Sequence, residues 1–219
     1  MSDKEFTPAA GYPALTPLYD IAVSLVTRED VWRSALLQLL APNDSDRVLD
    51  VGCGTGTLAI RLKALTPKAD IHGIDPDGEI LRRASAKASK KGVNISFHEG
   101  FMLPTSVSEL GRFSKAVSSL VFHQTPYEEK RNILASIAKI LEPNGRLYVA
   151  DYGLQRTALM KRLFRCTIQI LDGYEDTQAN AEGCLPKLME EVGFINIEEI
   201  RVIPTITGSI SIYVASIPS

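Results

Sequence analysis

The sequence predicts an α/β fold, in which a mostly parallel sheet is covered by helices on both faces. Three observations carry that reading. Short apolar runs alternate with helical patterns through the middle of the chain. A glycine-rich turn, Asp50-Val51-Gly52-Cys53-Gly54-Thr55-Gly56, joins the first apolar run to a helix. The last two strand-like segments are separated by too few residues for a parallel crossover, so they must pair antiparallel.

The elements follow in order. Residues 1–41 precede the first strand and carry helical patterns at Leu15–Val26 and Glu29–Leu40. Strands are predicted at 47–52, 69–75, 95–100, 115–122 and 146–151. A helix spans Thr57 to Leu65. Asp77 is the expected N-cap of the next, ahead of Ile80, Leu81 and Ala84. Thr125-Pro126-Tyr127-Glu128 reads as a capping box with proline at the first helical position. The helix it opens places Ile133, Leu134, Ile137, Ile140 and Leu141 on one face, and Pro143-Asn144-Gly145 should stop it. Residues 152–192 form a helical insertion before the closing hairpin, Ile195–Ile203 and Ser209–Ser216.

Length and composition bound the rest. At about 150 residues per domain, 219 residues predict one large domain, with 1–41 as a helical cap and 152–192 as an insertion or lid. The chain is 45% hydrophobic and 23% charged, which excludes a disordered or collagen-like polymer. A net charge of −2 argues against a nucleic-acid partner. No run of 18 apolar residues and no basic-then-apolar leader is visible, so no stable membrane insertion is expected. The three cysteines, at 53, 166 and 184, form neither a disulfide framework nor a metal pair, and a reducing cytoplasm is the simplest home. No cluster has metal-ligand spacing.

The glycine loop is the sharpest functional signal. Its helix N-terminus points backbone N–H groups at whatever lies above the strand end. Asp75, at the end of the second strand, stands 19 residues beyond Gly56, the spacing of a carboxylate that accepts both hydroxyls of an adenosyl ribose. Two ligands fit so far. Gly54-x-Gly56-x-x-Ala59 satisfies the relaxed dinucleotide fingerprint, so a nicotinamide-dependent oxidoreductase is one reading. S-adenosylmethionine is the other. Asp50 separates them: an acid in a strand buried on both faces is costly, a cationic ligand group justifies it, and a pyrophosphate is repelled by it.

With these residues in view, the sequence resembles a class I S-adenosylmethionine-dependent methyltransferase. VLDVGCGTGTLA matches the glycine motif of that family, GIDPD carries its ribose acid, and LEPNGRLYVADYG is similar to the stretch leading into its fifth strand. Within the family it looks like the ubiquinone/menaquinone-biosynthesis group, to which Tyr19-Asp20 and Trp32-Arg33 add weaker support. The resemblance implies a Rossmann-like three-layer sandwich of seven strands in the order 3-2-1-4-5-7-6, with the last strand antiparallel. It implies that Gly52, Gly54 and Gly56 lie under the methionine part of the cofactor. Asp50 would sit near the ammonium, through water or backbone, with Asp75 on the ribose and Pro76 beside the adenine. Gly100, Phe101 and Met102 stand at the adenine edge, where Phe101 replaces the family's usual Asp. Ser118, Ser119 and Leu120 stand where the fourth strand ends under the cofactor.

A sulfonium methyl is already activated, so the enzyme must mainly align an acceptor and exclude water. A base is needed only if the acceptor has a proton to lose. The candidates are His123 after the fourth strand, as a neutral imidazole or as a loop-orienting residue, and Asp151 at the end of the fifth, as base or as cap. Tyr19 is the third, closing over the cofactor or the acceptor. His72 and His98, inside strands, are read as core or surface residues. The apolar residues Leu159, Met160, Leu163, Phe164, Ile168, Ile170 and Leu171 suit a lid over a greasy acceptor, with Tyr174 at its end. They also suit a helix packed on the core or on a second subunit, and a monomer or a homodimer is expected. The expected function is methyl transfer to a small apolar or aromatic molecule, giving S-adenosylhomocysteine as product. A non-catalytic S-adenosylmethionine-binding protein is a further alternative.

Overall fold

The computed structural model describes residues 28–103 and 108–219, with the side chain of Ser108 left aside. The candidate Tyr19 and the helical pattern Leu15–Val26 lie outside the described residues. In chain order the elements are α1 (Glu29–Leu40), β1 (Arg47–Val51), α2 (Thr57–Leu65), β2 (Asp70–Asp75), α3 (Gly78–Lys90), β3 (Ser96–Glu99), β4 (Phe113–Ser119), α4 (Tyr127–Ile140) and β5 (Leu141–Tyr152). The insertion follows as α5 (Ala158–Cys166), α6 (Ile168–Asp172), α7 (Tyr174–Ala181) and α8 (Cys184–Glu191), and β6 (Ile195–Thr205) and β7 (Gly208–Ser216) close the chain.

The seven strands form one sheet in the order β3-β2-β1-β4-β5-β7-β6. The first five pair parallel, and β7 is antiparallel to both β5 and β6. Only Ile206 and Thr207 separate β6 from β7, which admits no other arrangement. This is the order and sense that the family resemblance implies. The order reverses between β1 and β4. An open α/β sheet has its crevice at such a switch point, above the strands' carboxyl ends.

Alternation along β1 assigns the two faces. Val48 joins the apolar cluster of Trp32, Leu36 and Leu40 from α1 and Leu58 and Leu62 from α2. Leu49 and Val51 join the opposite cluster, with Leu134 and Ile137 from α4 and Leu185 and Leu188 from α8. Asp50 therefore points to the α1/α2 face, although it is an acid.

Asp77 caps α3 as expected, its side chain accepting from the N–H groups of Glu79 and Ile80. The capping box at Thr125 does not form. Pro126 takes the N-cap position without a side-chain bond, because the Thr125 hydroxyl is turned back onto the carbonyl of Phe122 in the preceding 3-10 turn. The helix α4 ends at Ile140, ahead of Pro143, because the chain enters β5 at Leu141 and bulges against β4. Asn144 absorbs that bulge in a left-handed conformation. The insertion is broken at Thr167, whose hydroxyl bonds back to the carbonyl of Leu163.

Candidate active site

The glycine loop leaves β1 through three consecutive alternate residues of positive φ. Gly52, Gly54 and Gly56 have φ of 68°, 51° and 70°, conformations that cost other residues about 1 kcal/mol or more. Each has its own reason to lack a side chain. A Cβ on Gly52 would meet Val121, and one on Gly56 would meet Phe97 and Ala84. A Cβ on Gly54 would meet nothing within 4 Å among the described residues, which leaves room there for a ligand to approach the backbone. The loop is held down by the N–H groups of Gly52 and Cys53, which both donate to the carbonyl of Ile74 in β2.

Asp75 ends β2 and braces the same loop. One carboxylate oxygen accepts the N–H of Gly54 at 2.9 Å and the other accepts the N–H of Asp77 at 3.0 Å. An ionised carboxylate has about four acceptor positions, so about two stay open for hydroxyl donors. Burial pushes its pKa up, and these two N–H donors pull it back. Pro76 stands beside it, half-buried.

Asp50 is only 1% exposed, and neither of its oxygens has a hydrogen-bond partner among the described residues. Burial raises its pKa to about 7, while the Arg33 cation and the Ala59 backbone amide pull the other way. Such a group needs a partner that the described residues do not supply. A cationic ligand group is one. These residues fit S-adenosylmethionine: an open glycine surface, an orphaned acid beside it and a second acid with acceptor capacity to spare. A pyrophosphate would meet two carboxylates.

Across the crevice, Gly100 donates its N–H to the carbonyl of Asp75. Phe101 is 52% exposed, whereas Met102 is buried in the core and offers only backbone. Ser118 is fully buried and donates to the carbonyl of Val51, which ties β4 to β1 below the loop. Ser119 is half-buried one residue later, and Leu120 then takes a left-handed turn, its N–H donating to the carbonyl of Ala150.

His123 and Asp151 are brought together, 2.8 Å apart between Nδ1 and Oδ1. Asp151 also accepts the N–H groups of Val121, Phe122 and Tyr152, so its acceptor positions are filled by the chain itself. It caps the 3-10 turn Phe122–Gln124. On its other side the imidazole lies 3.5 Å from Asp172, at the end of α6. Two carboxylates outweigh the cost of burial and raise the His123 pKa to about 9. At neutral pH it is a cation, which differs from the neutral proton acceptor weighed in the sequence reading. Its folded-state pKa is above the unfolded value of about 6.5, so its contribution to stability is complete below that pH and is lost as pH rises through about 9. The melting-temperature gap between the native chain and His123→Gln should therefore narrow between pH 6.5 and 10; a gap independent of pH would refute the charge assignment.

Lys130 was not singled out from the sequence, where it reads as a solvated helix charge. It is fully buried. Its ammonium donates to the carbonyls of Phe122, Thr125 and Asp176, which uses all three N–H groups. It thus ties the loop after β4 to α7. Asn180 adds a second tie, donating to the carbonyl of Tyr152 at 2.8 Å. Lys130→Met leaves three carbonyls without this donor and should cost about 2–4 kcal/mol in urea unfolding; a loss below about 1 kcal/mol would mean that water replaces the ammonium.

His72 and His98 stay away from this site. Their rings stack 5.2 Å apart and hydrogen-bond at 2.9 Å, and His72 also pairs with Asp70 at the amino end of β2. Among the described residues no group of His, Cys, Asp or Glu could hold a metal ion, and no helix is long and apolar enough to cross a membrane.

Comparison with known proteins agrees with this geometry. Residues 48–145 match a family described as a methyltransferase domain. A demethylmenaquinone methyltransferase of Deinococcus radiodurans is 28% identical over 72% of this chain and 65% of its own length. A ubiquinone/menaquinone biosynthesis C-methyltransferase of Syntrophotalea carbinolica is 26% identical over 71% of this chain and 65% of its own. The chain thus spans slightly under two thirds of the length of these curated relatives. The crystal structure of magnesium protoporphyrin IX methyltransferase from Synechocystis, with S-adenosylhomocysteine bound, superposes with a TM-score of 0.65 at 20% identity, covering 88% of this chain and 84% of that one. The sheet order, the glycine loop and the placement of Asp75 agree with these likenesses: residues 48–145 match the methyltransferase-domain family, and the chain is similar to methyltransferases of the ubiquinone/menaquinone-biosynthesis group.

Proposed function

We propose that the chain transfers the methyl group of S-adenosylmethionine to a small apolar or aromatic acceptor. The observation that carries this reading is the pair of acids flanking the open surface of Gly54, one of them buried and without a hydrogen-bond partner among the described residues. When bound, the cofactor supplies an activated methyl on a positive sulfur. The chain's own task is then positional. Asp75 holds the ribose hydroxyls on its free lone pairs, with Pro76 beside the adenine. Gly52, Gly54 and Gly56 admit the methionine part to the backbone. Gly100, the exposed Phe101 and the backbone of Met102 border the adenine. Ser118 and Ser119 end β4 beneath the cofactor.

His123 and Asp151 act as a charged brace that fixes the 3-10 turn beside the acceptor space, and Tyr19 remains a candidate to close over it. An acceptor carbon or heteroatom that must lose a proton would hand it to water or to the acceptor's own oxygen, since neither member of the brace has a free lone pair aimed outward. The insertion supports an apolar acceptor. Leu159, Ile170, Leu171 and Tyr174 are each more than half exposed, which helices packed only for stability avoid. The names of the curated relatives favour an aromatic, quinone-related acceptor within that class.

The test is methyl transfer. Incubating the protein with methyl-labelled S-adenosylmethionine and a panel of demethylated quinols, phenols and small amines should label an apolar aromatic. Labelling confined to amines or nucleic acid would reject the acceptor class. Cofactor binding with no turnover on any panel member would favour the non-catalytic alternative.

A further inference from the structure

The stretch from Gly153 to Leu171 carries four basic residues and no acid. One of the four, Arg156, is held by Glu199 of β6. The other three, Lys161, Arg162 and Arg165, stand exposed on α5, whereas Phe164 packs inward. Their side chains have no ion-pair partner among the described residues. Lys161 and Arg165 are four apart, a like-charge pair that destabilises a helix left to itself. The next acid along the chain, Asp172, is turned inward to His123 at 3.5 Å. The first exposed acid beyond α5 is Glu175.

The same stretch leaves aliphatic side chains open. Leu159, Ile170 and Leu171 are 65%, 73% and 62% exposed. The turn between β6 and β7 adds Ile206, at 62%. That turn abuts α5, since a Cβ on Gly208 would lie 3.2 Å from the Cβ of Phe164. Aliphatic side chains this open are unfavourable in water, and cations without acids leave a local positive field. An anionic bilayer removes both costs. Its headgroups supply the counter-charge, and its interface takes the aliphatic side chains with no fixed shape to match. A nucleic acid would neutralise the cations but gain nothing from the aliphatic residues, because bases stack on aromatic rings.

We infer that α5 and α6, with the β6–β7 turn, form a docking surface for an anionic lipid bilayer, on which the chain lies without crossing it. The inference needs neither the cofactor nor the acceptor reading. It agrees with the second, because an apolar acceptor would reach the crevice from the bilayer that these side chains touch.

Co-sedimentation with vesicles tests it. The native chain should bind phosphatidylcholine vesicles containing about 30% phosphatidylglycerol, and should bind pure phosphatidylcholine vesicles at least about 10-fold more weakly. Raising the salt from about 0.05 to about 0.5 M should weaken the first interaction by about 10-fold. A basic residue at an anionic surface is worth about fivefold in partitioning, so Lys161→Ala, Arg162→Ala and Arg165→Ala together should lose about 100-fold. Ile170→Ser with Leu171→Ser should lose about 10-fold or more. All five side chains are exposed, so both variants should melt with the native chain, which separates lost binding from lost folding. No binding to the anionic vesicles, equal binding to both kinds, or native affinity in either variant would overturn the inference. Binding of a single-stranded oligonucleotide in place of either vesicle would overturn it in favour of a nucleic-acid partner.

Discussion

Asp75→Ala is expected to lower the affinity for S-adenosylhomocysteine by about 100-fold, with the fold retained. Two hydroxyl donors on one carboxylate are each worth about 1.5 kcal/mol or more, and about 1.4 kcal/mol is tenfold in affinity. The same carboxylate fastens Gly54 and Asp77, so part of the loss comes through the loop. Asp75→Asn separates the two contributions. It keeps the shape but presents an NH2 group to one of these N–H donors, so it should lose affinity nearly as strongly. Calorimetric titration of both variants decides it, and an affinity within about threefold of the native chain, under 1 kcal/mol, would remove the ribose role from Asp75.

Asp50→Asn should move stability and binding in opposite directions. The native carboxyl titrates near pH 7 in the folded chain because it is buried, against about 4 when unfolded. A raised carboxylate pKa means that the folded state holds the proton more tightly. Stability therefore falls as pH rises from about 4 to about 7 and is level beyond. The asparagine carries no such slope. At pH 8 the variant should be more stable than the native chain by about 1–3 kcal/mol, and at pH 5 the two should nearly coincide. Its affinity for S-adenosylhomocysteine at pH 8 should fall by about tenfold or more, since it has no charge for an ammonium. In urea melts at the two pH values, a variant less stable at pH 8 would show that Asp50 is paid for by contacts inside the apoprotein rather than by a ligand.

How much of this was legible in the residues differs from part to part. The sheet was open to reading because buried parallel strands are short apolar runs closed by glycine or aspartate, and because two residues between β6 and β7 permit one sense only. The glycine loop and Asp75 were legible for a similar reason: their chemistry depends on local spacing. Asp50 stood out as an acid where the strand should be apolar. Arg33 stood out only as part of the Trp32-Arg33 pair, because its burial on the core-facing side of α1 shows only in the fold. Lys130 was hidden in the same way, since its three carbonyl partners come from the loop after β4 and from α7, which only the fold brings together. His123 was found, but its protonation was not. That depends on Asp172, 49 residues further along and beyond a helix break at Thr167 that the apolar pattern did not mark.

The central claim is that the open surface between Asp50, Gly54 and Asp75 receives an adenosyl amino acid rather than a dinucleotide. Parallel calorimetric titrations of the native chain with S-adenosylhomocysteine and with NADH test it most directly. Saturable one-to-one binding of S-adenosylhomocysteine, with no heat from NADH, is the predicted result. Binding of NADH alone would contradict it.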